Sequence, residues 1–460
     1  MENTNNLIFF NIHFIGIGGV SMSALAHLML NFGYSVSGSD LQVNDFTKSI
    51  SASGGKVFCG HNSNNLPLNT KLVVFTGAIK PDNVELVYAH KLGIRCMERS
   101  EFLGWIAGQY KDVIAISGTH GKTTTTAMLG DIFLEANKNP TIHLGGESES
   151  IDGNVRAGGN DIFITEACEY RNGFRYIIPT TSVVTNIERD HTDWYGDLGQ
   201  IVEAFSLFAN ASTQNIVIFE NHNFEKYITS NKKIISCGFD GNYDVMGYNL
   251  YKNIDGCYSF DVKYYGTYIG RFNCDVIGIH NAKNALCAIA VALLYNVDVS
   301  AIYRGIKKFK GVKRRYEKVG EYKGVPVVAD YAHHPTEIKN SINGALITHK
   351  KILCIFQPHT YSRTLSLIKE FSTCFKGVNK LVVYKTYKAR EKYIKGGSAL
   401  DLFNAVRVYK NNKYYCDTQK CLKNTLINMD ADYDLILVLG AGDIYEIIKK
   451  VLAKLKKSVD

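Results

Sequence analysis

The stretch AISGTHGKTTTTAML, residues 115–129, closes an apolar run with two glycines, a lysine and five threonines, four of them consecutive, before it turns apolar again. A strand that leads into Gly118 and Gly121 and passes straight into a helix aims unpaired backbone N–H groups at one point. Lys122 adds a cation at that point, and the Thr123 hydroxyl adds a ligand for magnesium. Together with Thr119, His120 and Thr124, these residues read as a cradle for a nucleoside triphosphate. The general pattern GxxxxGK[ST] places four residues between its glycines, whereas GTHG has two, so the loop is a shortened variant.

Such a loop needs a parallel sheet behind it, and the flanking sequence supplies one. Short apolar runs recur downstream at DIFITEA, TSVVTNI and NIVIFE. Between Tyr243 and Val276 the chain becomes tyrosine-rich and glycine-punctuated, which predicts an antiparallel patch inside the same domain. The first hundred residues alternate strand-like and helix-like runs, and a third alternation begins at VPVVAD (325–330). The expected fold is α/β in three domains, which 460 residues comfortably fill. Residues 1–108 would form a Rossmann-like N-terminal domain, and 109–312 a central P-loop ATPase-like domain with the antiparallel β patch. Residues 313–460 would form a Rossmann-like C-terminal domain.

Phosphoryl transfer needs cation-holding side chains at strand ends of the loop's own sheet. Glu166 ends one such run, and His191 follows another with Asp190 and Asp193 beside it. In the first domain Gly16, Gly18 and Gly19 follow a strand, and Ser39 and Asp40 end the next one. That arrangement admits a diphosphate, with the acid available to a ribose hydroxyl. Since the triphosphate already has its own loop, a diphosphate-bearing substrate fits this site better than a nicotinamide cofactor.

The composition is globular, with 46% hydrophobic and 21% charged residues. A balance of 52 basic against 43 acidic residues favours anionic ligands. The densest basic run, KKFKGVKRR, lacks the interleaved aromatics of a single-strand binder, so no nucleic-acid partner is expected. Eleven cysteines stand singly without CxxC spacing, as in a reduced cytoplasmic protein. No run reaches the ~18 apolar residues that span a bilayer, so no membrane partner is expected.

Taken together, these stretches resemble the Mur ligase family. The likeness rests on HFIGIGGVSMSALA, GTHGKTTTT, EACEY, TNIERDHTDWY, GIHNAKNALCAIAVA, FKGVKRRYEKVG, DYAHHPTEI, FQPHTYSRT, AREKYIKGGSA and LGAGDIYEI, in that order. The resemblance implies ATP-driven amide formation between the lactyl carboxylate of UDP-N-acetylmuramate and L-alanine in peptidoglycan synthesis. A wall tripeptide is the alternative acceptor within the family, and a non-catalytic nucleotide-sugar sensor is the alternative outside catalysis. By the same resemblance Lys122 holds the β and γ phosphates, Thr123 and Glu166 ligate one magnesium ion, and His191 ligates a second. Asn281, Asn284, Arg315 and Asp330 would face ATP. Tyr331, His333, His359 and Arg363 would face the amino-acid and muramyl substrates, with His333 among the catalytic set. A monomer or homodimer is expected.

The chain also departs from the family pattern. Thr76 and Gly77 stand where serines are common, and Thr360 where some members carry arginine. EACEY replaces the more acidic EADES, and Ser206 stands where sister ligases carry a modified lysine.

Overall fold

The computed structural model describes residues 11–456 apart from 192–193, 221, 230, 408–411 and 431, so Asp193 lies outside the described residues. Three sheets succeed one another along the chain, as the alternation of apolar runs predicts. The first is all parallel, in the order Lys56–Cys59, Ser35–Asp40, Asn11–Ile15, Thr70–Phe75, Arg95–Glu98. Its central strand Asn11–Ile15 is buried along its whole length, as a strand covered on both faces must be.

The second sheet has ten strands. Its parallel centre sets Asp112–Ser117 between Thr181–Val184 and Ile162–Glu166, so the ends of all three strands open onto the same edge. The tyrosine-rich segment forms the expected antiparallel patch, Val245–Lys252 against Tyr258–Tyr264 against Thr267–Cys274. Behind the loop, helix Lys122–Glu135 packs against helices Ile279–Leu294 and Val299–Lys308. Ile279–Leu294 is apolar on nearly every face after its first turn, which suits a helix enclosed on all sides.

The third sheet runs Glu317–Tyr322, Val325–Asp330, Leu435–Leu439, Ile352–Phe356, Lys380–Tyr384, Lys413–Cys416. Its first pair is an antiparallel hairpin whose first strand precedes VPVVAD, where the sequence reading begins the third alternation. Lys323 and Gly324 form the turn, both at positive φ (50° and 76°), which is the two-residue geometry that matches strand twist. The alternation Glu317–Tyr322 is too polar to announce itself as a strand, because it lies at the edge of the sheet.

Candidate active site

Strand Asp112–Ser117 delivers the loop, and helix Lys122–Glu135 begins at Lys122 with Gly121 as its N-cap. Gly118 and Gly121 have φ of 143° and 83°, and a side chain on either would collide with Thr185 or Asn284. The loop is moored from the next strand. His120 N–H donates to Asn186 Oδ1 at 2.8 Å, while Thr185 Oγ1 and Asn186 Nδ2 donate to His120 O at 2.7 and 2.9 Å. Thr119 Oγ1 takes Glu188 N–H at 2.9 Å. Neither Thr185 nor Asn186 stands out in the sequence; their position directly after an apolar strand in the same sheet is the one available signal.

The structure brings Lys122, Thr123, Glu166 and His191 into one cluster and adds a residue that sequence reasoning missed, Glu169. Lys122 Nζ meets both Glu169 oxygens at 2.9 and 3.1 Å, and Oε1 of that carboxylate also meets His191 Nε2 at 3.2 Å. Burial opposes charge on both members of the Lys122–Glu169 pair, but each raises the other's ionisation, so Glu169 titrates below and Lys122 above its usual range. His191 is held at a positive φ of 50°, and its N–H donates to Asp190 Oδ1 at 2.7 Å. Glu166 accepts the Thr123 hydroxyl at 3.0 Å and the Gly145 N–H. Burial pushes the Glu166 carboxyl up, against the pull of the Gly145 N–H and Lys122. A hydroxyl 3.0 Å from a buried carboxylate is a pair of hard oxygen donors, a set that fits magnesium.

Between the second and third sheets lies a cavity of about 570 Å³, whose lining includes His120, Asn281, Asn284, Arg315, Asp330 and Glu337. Thr124 and His280 also line it, and burial lowers the His280 imidazole to about 4. Asp330 is held by Ser341 Oγ at 3.0 Å and Ala332 N–H at 3.1 Å, with burial raising its carboxyl. Arg315 Nη1 stands 3.8 Å from Glu337.

His120 spans the two layers. Its Nδ1 pairs with Glu337 at 2.9 Å and its Nε2 faces Glu188 at 3.6 Å. Although burial disfavours the charged ring, Glu337 and Glu188 outweigh it and raise its pKa to about 9. His334 lies 4.9 Å away, but it spends Nε2 on Arg189 O and Nδ1 on Thr336 N–H, so the group is an ion-paired clasp and not a metal site. A folded-state pKa raised above ~6.5 gives stability that is complete below that pH and is lost as pH rises through about 9. We expect the thermal midpoint to fall over this window by the equivalent of roughly 1–3 kcal/mol, and His120→Gln to flatten the slope. A midpoint of the wild-type chain that stays level from pH 6.5 to 9.5 contradicts the clasp.

Asp190 Oδ1 also accepts Arg363 Nε at 2.9 Å, and Arg363 Nη1 meets His359 Nδ1 at 3.2 Å. His333 and His359 stand 5.7 Å apart, and burial lowers them to about 4 and about 2. Tyr331 lies against the guanidinium groups of Arg314 and Arg315, at 4.8 and 5.1 Å from its ring centre.

The first sheet's glycine turn follows Asn11–Ile15 with Gly16 at φ 85°. Gly18 N–H donates to Asp40 Oδ2 at 2.9 Å, so the carboxylate expected at a ribose closes its own loop. The side chain of Ser39 is not brought to the loop: its buried hydroxyl meets Glu85 Oε2 at 2.5 Å and His61 Nδ1 at 2.9 Å. Its carbonyl still serves the turn, accepting the N–H groups of Gly16 and Ile17 at 2.8 and 3.0 Å.

A shortened phosphate loop, a hydroxyl–carboxylate pair and a cavity closed by a third layer coincide with three family models. These are "Mur ligase family, catalytic domain" over residues 11–111, "Mur ligase middle domain" over 116–292 and "Mur ligase, glutamate ligase domain" over 314–442. The chain belongs to the Mur ligase family. Its relatives include the UDP-N-acetylmuramate–L-alanine ligases of Clostridium kluyveri (42% identical over 95% of this chain and 96% of that one) and Clostridium novyi (43%, with the same coverage). Among solved structures it is similar to the UDP-N-acetylmuramate-alanine ligase of Thermotoga maritima, at a TM-score of 0.82 and 25% identity over 97% of this chain and 99% of that one. The fold of a murein peptide ligase from Psychrobacter arcticus also matches, at a TM-score of 0.75 over 97% and 98%.

Proposed function

We propose that this chain joins the lactyl carboxylate of UDP-N-acetylmuramate to L-alanine, converting ATP to ADP and phosphate. The observation that carries this reading is the Lys122–Thr123–Glu166–His191 cluster, whose loop also lends His120, Gly121 and Thr124 to the lining of a cavity of about 570 Å³, in a chain that matches L-alanine ligases over nearly its whole length. A carboxylate is a poor acyl donor until one of its oxygens becomes part of a phosphate. The lactyl oxygen attacks the γ-phosphorus and ADP leaves; the alanine nitrogen then attacks the acyl carbon and phosphate departs with that oxygen.

Each proposed role follows from position. Lys122 would screen the phosphates from the loop, and Arg315, which lines the cavity beside Gly121 and Thr124, brings a second positive charge. The amides of Asn281 and Asn284 and the carboxylate of Asp330 offer polar contacts to the nucleoside end. Thr123 and Glu166 would hold one magnesium ion, and His191 a second. Bound there, magnesium supplies positive charge that lets a carboxylate approach a triphosphate. His333 and His359, kept neutral by burial, leave Arg363 as the cation beside the amino-acid substrate, where a guanidinium suits a carboxylate. Gly16, Gly18 and Gly19 would receive the diphosphate of the nucleotide sugar. The reaction takes place in the cytoplasm on this reading, and no helix among the described residues is long and apolar enough to cross a membrane.

The test is phosphate release from ATP, magnesium and UDP-N-acetylmuramate with L-alanine, with a wall tripeptide, or with no amine. Release that requires L-alanine is the expected result; release that requires the tripeptide would move the chain to a recycling ligase.

A further inference from the structure

The ammonium of Lys122 is saturated. It has three protons, and it meets both oxygens of Glu169 and the carbonyls of Gly118 and Thr119. To grip a phosphate it must give up an acceptor. The two carbonyls belong to the loop that Thr185 and Asn186 moor, whereas Glu169 comes from a separate segment and is the anion among these partners. The Glu169 backbone is fixed in turn: its carbonyl accepts the Tyr195 hydroxyl at 2.6 Å, and its side chain is only 3% exposed. When the lysine departs, the carboxylate still has His191 Nε2 at 3.2 Å, so it is not stranded in the interior.

Resting on the ligase reading above, we infer that Glu169 is a positioning residue and the resting partner of Lys122. Its carboxylate occupies the lysine's anion-binding position until nucleotide phosphates displace it, and it holds His191 in register throughout. The exchange is anion for anion, so the buried lysine never faces the interior alone. Nucleotide binding therefore works against an internal competitor. The same carboxylate then keeps the lysine's neighbourhood ordered for turnover. Its removal has two effects of opposite sign, which a residue with a merely structural role would not produce.

The experiment measures ADP binding by calorimetry in EDTA, so that no metal takes part, alongside steady-state turnover with magnesium. Glu169→Gln is expected to bind ADP about five-fold more tightly than wild type while its kcat falls about ten-fold or more. In a Lys122→Ala background the same substitution should not tighten ADP binding, because the competition it relieves is gone. Binding of UDP-N-acetylmuramate reports that the variants are folded. If Glu169→Gln does not fold, Glu169→Asp carries the test: its shorter reach loosens the lysine, so ADP should still bind more tightly than to wild type. ADP binding to the folded variant that equals or falls below wild type overturns the inference. Absence of ADP binding to the wild-type chain would instead bring down the ligase reading, and this inference with it.

Discussion

Lys122→Ala is expected to lower turnover by on the order of 10³-fold while leaving the three sheets intact. A positioned cation at a transferring phosphoryl group accounts for that magnitude, since it acts where charge develops and where water is excluded. Thr123 and the loop N–H groups can still receive a nucleotide, so the loss should fall mainly on kcat. The fold survives because Glu169 keeps His191 as a partner, and because the loop geometry is set by Gly118, Gly121, Thr185 and Asn186 and not by the lysine. Circular dichroism unchanged beside a residual rate below a few percent is the expected pair of observations. A variant that keeps more than a few percent of the wild-type rate would remove Lys122 from the chemistry.

Arg363→Ala should be the most damaging substitution for the docking of the third sheet's layer. Asp190 and Arg363 have side chains only 7% and 9% exposed and join the two layers at 2.9 Å. Burial alone would raise the Asp190 carboxyl, but Arg363, then His191 and His333, hold it well below the usual carboxylate range. Removing the guanidinium leaves a buried charge with weaker partners, at a cost of roughly 3–5 kcal/mol. The sign with pH follows from the depressed value: the contribution is present above the unfolded carboxyl's value near ~4 and is lost as pH falls below it. Calorimetric melting should show the loss in Arg363→Ala and recovery of much of it in the double variant Asp190→Asn, Arg363→Ala. A single variant within ~0.5 kcal/mol of wild type would show the pair to be incidental.

Much of the architecture was legible because it is written in local chemistry. Apolar runs of five or six residues between turn signals announced the parallel strands, and GTHGKT announced the loop. The Glu317–Tyr322 strand was not legible, since an edge strand with polar residues lacks the apolar signal that marks a buried one. Glu169 was hidden for another reason. EACEY has one carboxylate fewer than EADES, and nothing in its spacing marks the one at Glu169 as the partner of a lysine 47 residues earlier. The partners of the Ser39 hydroxyl were not legible either: strand alternation cannot tell which neighbours a buried hydroxyl will find, and Glu85 comes from a helix far along the chain. The His120 clasp and the Asp190–Arg363 pair join distant segments and depend on how the layers dock, which no local pattern encodes.

The central claim is that the lactyl carboxylate itself takes the γ-phosphoryl group. UDP-N-acetylmuramate labelled with ¹⁸O in that carboxylate, turned over with ATP and L-alanine, tests it directly by mass spectrometry of the released phosphate. The account expects each phosphate to carry one oxygen from the carboxylate. Unlabelled phosphate accompanying amide formation would mean that the acyl phosphate never forms.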